Sequence, residues 1–319
     1  MKLKNFYRTA IELGKEKDPR GEDEIKRILD EAKAEFEKLD EKEKEIFDKE
    51  RLENPYPDTR ILNGSGEEEI HSIMVGIDIE ASELLLFDRL REKGEKIDVA
   101  VAHHPEGIAY ARLGDVMMLH ADIAAKLGVP INVAEKFTVK RIKEVERRLM
   151  PMNHQRAIDT ARLLKIPFMN IHTPADNFVA SYLQEKFDSE KPRTLKDIID
   201  ILLEIPEYKI SAQNGAPPKI LIGGKNDRTG KVFVDMTGGT EGSKEILEKL
   251  SSAGVGTIVA MHMSDEHFKE IEKHNMNLVI AGHISSDSLG LNLLLDTIRK
   301  KEEIEITPVS GFIRVERNL

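Results

Sequence analysis

The chain has 319 residues, with 58 acidic against 48 basic side chains, a formal charge of −10 and no cysteine. That length supports one large domain or two ordinary ones, and the missing thiols exclude disulfide scaffolds, thiolate zinc sites, iron–sulfur clusters and cysteine nucleophiles. The acidic balance offers no global attraction to nucleic acid or anionic lipid, and no apolar run approaches the ~20 residues of a spanning helix. With no signal-peptide pattern either, a cytoplasmic protein is expected. Three glutamines and abundant Glu and Lys give the composition a heat-adapted cast. Any metal site must be built from nitrogen and oxygen, so the ten histidines are the residues to follow.

Residues 1–60 read as a charged helical extension. Between 15 and 52, 26 of 38 residues are charged, while Ile25, Ile28, Leu29, Ala32, Phe36 and Leu39 recur at spacings of three and four. That draws one narrow apolar stripe, suited to a core or a partner subunit. Acids and bases alternate there, which argues against nucleic acid. Pro55 and Pro57 end the helical pattern.

Strands and helices then alternate. Strands are predicted over 73–77, 99–102, 168–171, 219–222, 231–234, 256–261 and 278–281. Helices are predicted over 81–94, 115–127, 154–164, 242–253, 265–274 and 286–300. A closing hairpin is expected from 304–308 and 311–315. This pattern specifies an α/β protein with mixed, largely parallel sheets flanked by helices. Two lobes are expected, 61–190 and 191–319, with a seam over 187–194 and the site in the cleft between them.

Ligands in open α/β sheets collect beyond the carboxyl ends of the strands, so histidines there carry the interest. His71, His120, His154, His267 and His274 read as surface or hydrogen-bonded core residues. Ala102-His103-His104-Pro105 ends a buried strand, and the proline lets the backbone turn both imidazoles to one side. Ile171-His172 runs into Asp176, and Gly282-His283 runs into Asp287, each with His-x-x-x-Asp spacing. An N-cap is the ordinary role for an Asp in a first helical turn. Three strand ends that each deliver histidine point instead to a metal centre suited to zinc, iron(II) or manganese. His262 also ends a strand, where ligand, neighbour of a ligand and plain loop residue all stay open. The glycine-rich turn 235–242 reads as a tight turn without ligand, and Lys225, Arg228 and Lys231 as a solvated basic loop.

These motifs, with Thr237-Gly238-Gly239 between the second and third, resemble the Ngg-interacting-factor-three-like family, whose members are described as GTP cyclohydrolase 1 type 2 homologues. The resemblance covers roughly 65–319. It implies two related α/β lobes around a pair of divalent metals, and a ring-shaped homohexamer built as a trimer of dimers. It also implies that His103, His104, Asp176, His283 and Asp287 are the metal ligands, with His172 behind them. His262, where many members carry glutamate, is placed with His172. Two further departures stand out: Asp287 replaces the usual glutamate, and Ile-Ala-Tyr-Ala follows the His-His-Pro motif.

Two metals about 3.5–4 Å apart, bridged by Asp287 or Asp176, would acidify a shared water into a hydroxide nucleophile. The expected function is therefore a dinuclear metal-dependent hydrolase of a nucleotide-type substrate, acting on a purine ring or a phosphoester. The alternative is a non-enzymatic protein that stores, delivers or senses metal, or a ring-shaped adaptor.

Overall fold

A computed structural model describes residues 1–317. The charged extension folds as separate helices rather than one: α1 (Leu3–Glu16), α2 (Glu22–Lys38) and α3 (Glu41–Ile46). The chain turns at Pro19-Arg20-Gly21, and again at Asp40, where a reciprocal Asp40–Glu43 capping box starts α3. The predicted stripe lies on α2, where Ile25 and Ala32 are buried. α1 goes further into the core, with Leu3, Phe6 and Ala10 fully buried.

The first half continues through β1 (Arg60–Asn63), β2 (Ser72–Gly76), α4 (Ala81–Glu92), β3 (Val99–Ala102) and α5 (Gly107–Ala111). α6 (Leu119–Leu127), α7 (Ile131–Leu149), α8 (Arg156–Leu164), β4 (Phe168–Asn170) and α9 (Thr173–Glu190) complete it. The second half holds α10 (Leu195–Glu204), α11 (Pro206–Gln213), β5 (Lys219–Ile222), β6 (Lys231–Asp235) and α12 (Ile246–Ser252). β7 (Val255–Ala260), α13 (Asp265–Lys273), β8 (Asn277–Ile280), α14 (His283–Arg299) and β9 (Glu305–Val309) follow.

The strands form two sheets, ordered β1-β4-β3-β2-β9 and β5-β8-β7-β6. In each, the first strand lies antiparallel to the fourth while the others run parallel. The order 1-4-3-2 thus recurs as 5-8-7-6, and the lobes share one topology. The expected closing hairpin does not form. β9 pairs parallel with β2 instead. Beyond it the chain lies across α14, where Arg314 donates to Asn292 at 2.9 Å and Arg317 to Glu207 on α11 at 2.6 Å. Those anchors, together with buried Phe312, hold the tail away from the sheet.

Strand alternation sorts the core. Ile73, Val75, Val99, Val101 and Met169 of the first sheet share one cluster with Val234, Val259 and Val279 of the second, through α9 and α14 between them. Met74, Ala100 and Phe168 face the other way, onto Leu84 and Phe87 of α4 and Ala157 and Ala161 of α8. Phe233, Ile258 and Leu278 face α12, α13 and α6. The layers therefore run helix, sheet, central helix pair, sheet, helix. Both central helices begin at the carboxyl ends of strands, which directs their first turns to one place.

Candidate metal centre

β3 ends at Ala102, and the backbone N–H groups of His103 and His104 then bond to the carbonyls of Gly76, the last residue of β2, and of Ile77 beyond it. This turn frees both imidazoles from strand alternation. His103 donates through Nδ1 to the carbonyl of Ile171 at 3.0 Å, and His104 through Nδ1 to Asp78 at 2.7 Å. Carbonyl and carboxylate oxygens only accept, so each ring carries a proton at Nδ1 and turns Nε2 toward the cluster. His172 repeats the arrangement, its Nδ1 donating to Asp58 at 2.8 Å.

The carboxylates enter from the central helices. Asp176 lies in the first turn of α9, Asp287 in the second turn of α14. Gly282, with φ +120°, supplies a backbone that other residues adopt poorly, and α14 begins at His283 directly after it. His103 Nε2 lies 3.4 Å from Asp176 Oδ1 and 3.5 Å from Asp287 Oδ1. Asp287 Oδ2 lies 3.5 Å from His104 Nε2 and 3.6 Å from His283 Nε2. Asp176 Oδ1 and both oxygens of Asp287 are buried without a hydrogen-bond partner.

Such oxygens are costly unless a cation meets them. Donors about 2.1 Å from one tetrahedral ion stand about 3.4 Å apart, which is the spacing found across this cluster rather than hydrogen-bond spacing. Three sets of side chains can converge on an ion: His103 with Asp176 and Asp287, His104 with His283 and Asp287, and His103 with His104 and His172. The donor chemistry and the orphaned oxygens both fit a divalent metal.

Electrostatics within the chain point the same way. Burial disfavours charge on His103, yet the Asp287 and Asp176 carboxylates outweigh it and push its pKa up to about 10. Burial likewise opposes ionisation of Asp287, but the charge of His103 and the close approach of the His104 and His283 imidazoles hold it well below the usual carboxylate range. Burial lowers the pKa of His283, keeping it neutral and able to donate a lone pair.

His262 comes to the edge of this cluster, its ring centroid 4.8 Å from that of His283. Its Nδ1 lies 3.4 Å from Glu241 Oε1. The pair echoes His104 and Asp78: in each lobe a histidine beyond the third strand of the topology is backed by an acid beyond the second. Asp58, Asp78 and Glu241 were not singled out from the sequence. Asp78 and Glu241 follow strands, a signal the histidines also carried; Asp58, beside a helix-breaking proline, gave none.

The remaining histidines stand apart from the cluster. His120 donates to the carbonyl of Thr240 at 2.7 Å, and His267 sits between Ser264 and the carbonyl of Gly242. His154 bonds the carbonyl of Leu149, His274 lies 3.3 Å from Glu270, and His71 is exposed. The glycine-rich turn is tied down through Thr237, which donates to Asn177 at 2.6 Å.

Among solved structures, the chain is similar to a NIF3 superfamily protein from Sphaerobacter thermophilus, with TM-score 0.68 and 27% identity over 80% of this chain and 91% of that one. The chain is thus similar in fold to the NIF3 superfamily. The chain also aligns with reduced HcgD from Methanocaldococcus jannaschii (TM-score 0.48, 13% identity, 78% and 87% of the two chains). A Bacillus cereus protein related to NIF3 aligns at TM-score 0.40 and 10% identity over 81% and 92%. Both are too distant to add weight. No protein-family model and no curated protein matches the chain. As expected of the NIF3 fold, the chain is α/β, with two mixed, largely parallel sheets and helical flanks. No helix of the described residues is long and apolar enough to cross a membrane.

Proposed function

We propose that this NIF3-like chain is a dinuclear, divalent-metal-dependent hydrolase acting on a nucleotide-type substrate. Asp287 supports two ions over one, because its oxygens face different partners: Oδ1 faces His103, whose Nε2 also meets Asp176, and Oδ2 faces His104 and His283. Zinc, iron(II) or manganese suits such nitrogen and oxygen donors. When bound, these ions supply Lewis acidity and lower the pKa of a water toward neutrality.

One observation carries the choice of catalysis over storage: the cluster is sealed on one side and open on the other. His103 and Asp287 are 1% and 0% exposed, whereas the His104 and His283 side chains are 26% and 40% exposed. A structural or storage site is closed by protein, while a catalytic one keeps an approach for substrate. On that open side, His262 is held by Glu241 and can bind a substrate group, while the buried face fixes the carboxylates in place. GTP, the substrate implied by family resemblance, is the first to assay.

Metal content after purification, followed by nucleotide assays on the wild type and Asp176→Ala, tests the reading. Metal-dependent turnover lost in Asp176→Ala supports it. Two tightly bound metals without turnover on any nucleotide would favour storage or delivery. Self-association belongs to the same proposal. It is supported by exposed Leu85 and Leu86 on α4 and Leu163 on α8, and a hexamer mass by light scattering is the expected result.

A further inference from the structure

We infer that Asp58, in the segment joining the helical extension to the first lobe, is a positioning residue that makes His172 a sixth metal donor. The inference rests on the metal-centre reading above and goes beyond its five ligands, since His172 was expected only to stand behind them.

Asp58 is fully buried, and its carboxylate has few partners. Oδ2 accepts from His172 Nδ1 at 2.8 Å and from Thr173 Oγ1 at 2.6 Å, while Oδ1 is buried with none. Burying a carboxylate this way is costly unless positive charge lies close by. The segment also grips the strand end from which His172 emerges. Thr59 Oγ1 accepts from the His172 backbone N–H at 3.0 Å, and the Asp58 carbonyl accepts from Asn170 Nδ2 at 2.5 Å. Ring and backbone of His172 are therefore both fixed by residues 58 and 59.

The orientation this imposes faces the cluster. His172 Nε2 lies 3.8 Å from Asp176 Oδ2, and its donor nitrogen falls within 4.8 Å of those of His103 and His104. A histidine that gives Nδ1–H to a carboxylate is the arrangement that orients metal ligands and raises their basicity. His104 with Asp78 provides the same arrangement within this site. The second lobe offers a parallel: His283 precedes Asp287 by four residues beyond the fourth strand of the topology, as His172 precedes Asp176. The extension therefore completes the coordination of the site, besides packing on the core.

The test uses the full chain, stripped of metal and titrated with Co2+ alone, with visible absorption reporting the donor set. Ring 15N shifts of the metal-free chain report the His172 tautomer. Asp58→Asn is expected to weaken Co2+ binding by about 10- to 100-fold and to shift the His172 Nδ1 signal. His172→Gln is expected to change the Co2+ absorption spectrum through loss of a nitrogen donor. If Asp58→Asn does not fold, the His172→Gln spectrum decides alone. A His172→Gln chain with wild-type Co2+ affinity and spectrum, alongside a His103→Gln chain that binds no Co2+, overturns the sixth donor and leaves the metal centre standing. A wild-type chain that takes up no Co2+ overturns both.

Discussion

Gly290 of α14 packs against Ala175 of α9 so closely that a Cβ at position 290 would collide with the Ala175 carbonyl oxygen and come within 3.0 Å of its carbon. The contact lies one residue from Asp176 and three from Asp287, so it sets the separation of the two carboxylates. Backbone cannot yield as a flexible side chain does. Gly290→Ala is expected to destabilise the chain by about 1–3 kcal/mol, as overpacking does, and to weaken metal binding by parting the helices. Denaturant melts and Co2+ titration of the same variant check both effects.

Asp287 is the residue on which the two donor sets meet, with both oxygens buried and unpaired. A metal that binds only the folded chain stabilises it by mass action, by about 2.7 kcal/mol at a hundred times its dissociation constant. Calorimetry with added Zn2+ should therefore raise the wild-type melting temperature, and a chelator should reverse the gain. Asp287→Asn is expected to retain its fold and show no Zn2+ response.

A buried ion pair within the extension is linked through Asn177 of α9 to Thr237 of the second lobe. Arg20 binds Asp18 through Nε at 3.0 Å and Nη2 at 2.9 Å, and Tyr56 donates to the same carboxylate at 2.8 Å. Asn177 reaches Asp18 at 3.4 Å and accepts from Thr237 at 2.6 Å. Removing one partner leaves a buried charge alone. Arg20→Met should cost about 3–5 kcal/mol, and Asp18→Asn combined with Arg20→Met distinctly less. A double-mutant cycle by urea unfolding measures the difference.

Stability should also fall with pH through one carboxyl. Burial, then the charge of Glu24, push Asp122 up to about 6 despite Arg20 and Arg27. In the unfolded chain it ionises near its ordinary pKa of about 3.9. Between those values the folded state holds a proton that the unfolded state has lost, so stability declines as pH rises from about 4 through 6. Asp122→Asn is expected to raise the melting temperature at pH 7.5 and leave it unchanged at pH 4.

Much of the site could be read from one dimension. His103, His104, His172 and His283 each follow an apolar strand segment, and polar residues at the carboxyl ends of buried strands have a short list of uses. Strand positions were legible for the same reason, since strands buried on both faces read as apolar runs. α9 was not. From Thr173 to Ala180 every residue is buried between two sheets, so no single stripe marks the helix. The relation of the lobes came only from the family resemblance, because their common sequence signal reduces to one His-x-x-x-Asp spacing in each.

The opening balance, no cysteine and ten histidines, determined the class of chemistry, because only nitrogen and oxygen donors were on hand. Fold class, strand ends and donor types also followed from local pattern. The tertiary structure alone decided which acids stand behind the imidazoles. Asp58, Asp78 and Glu241 are 114, 26 and 21 residues from His172, His104 and His262. Their pairing depends on which strands lie side by side and on where the extension docks. Those are products of packing two sheets against one helix pair, and no window of sequence contains them.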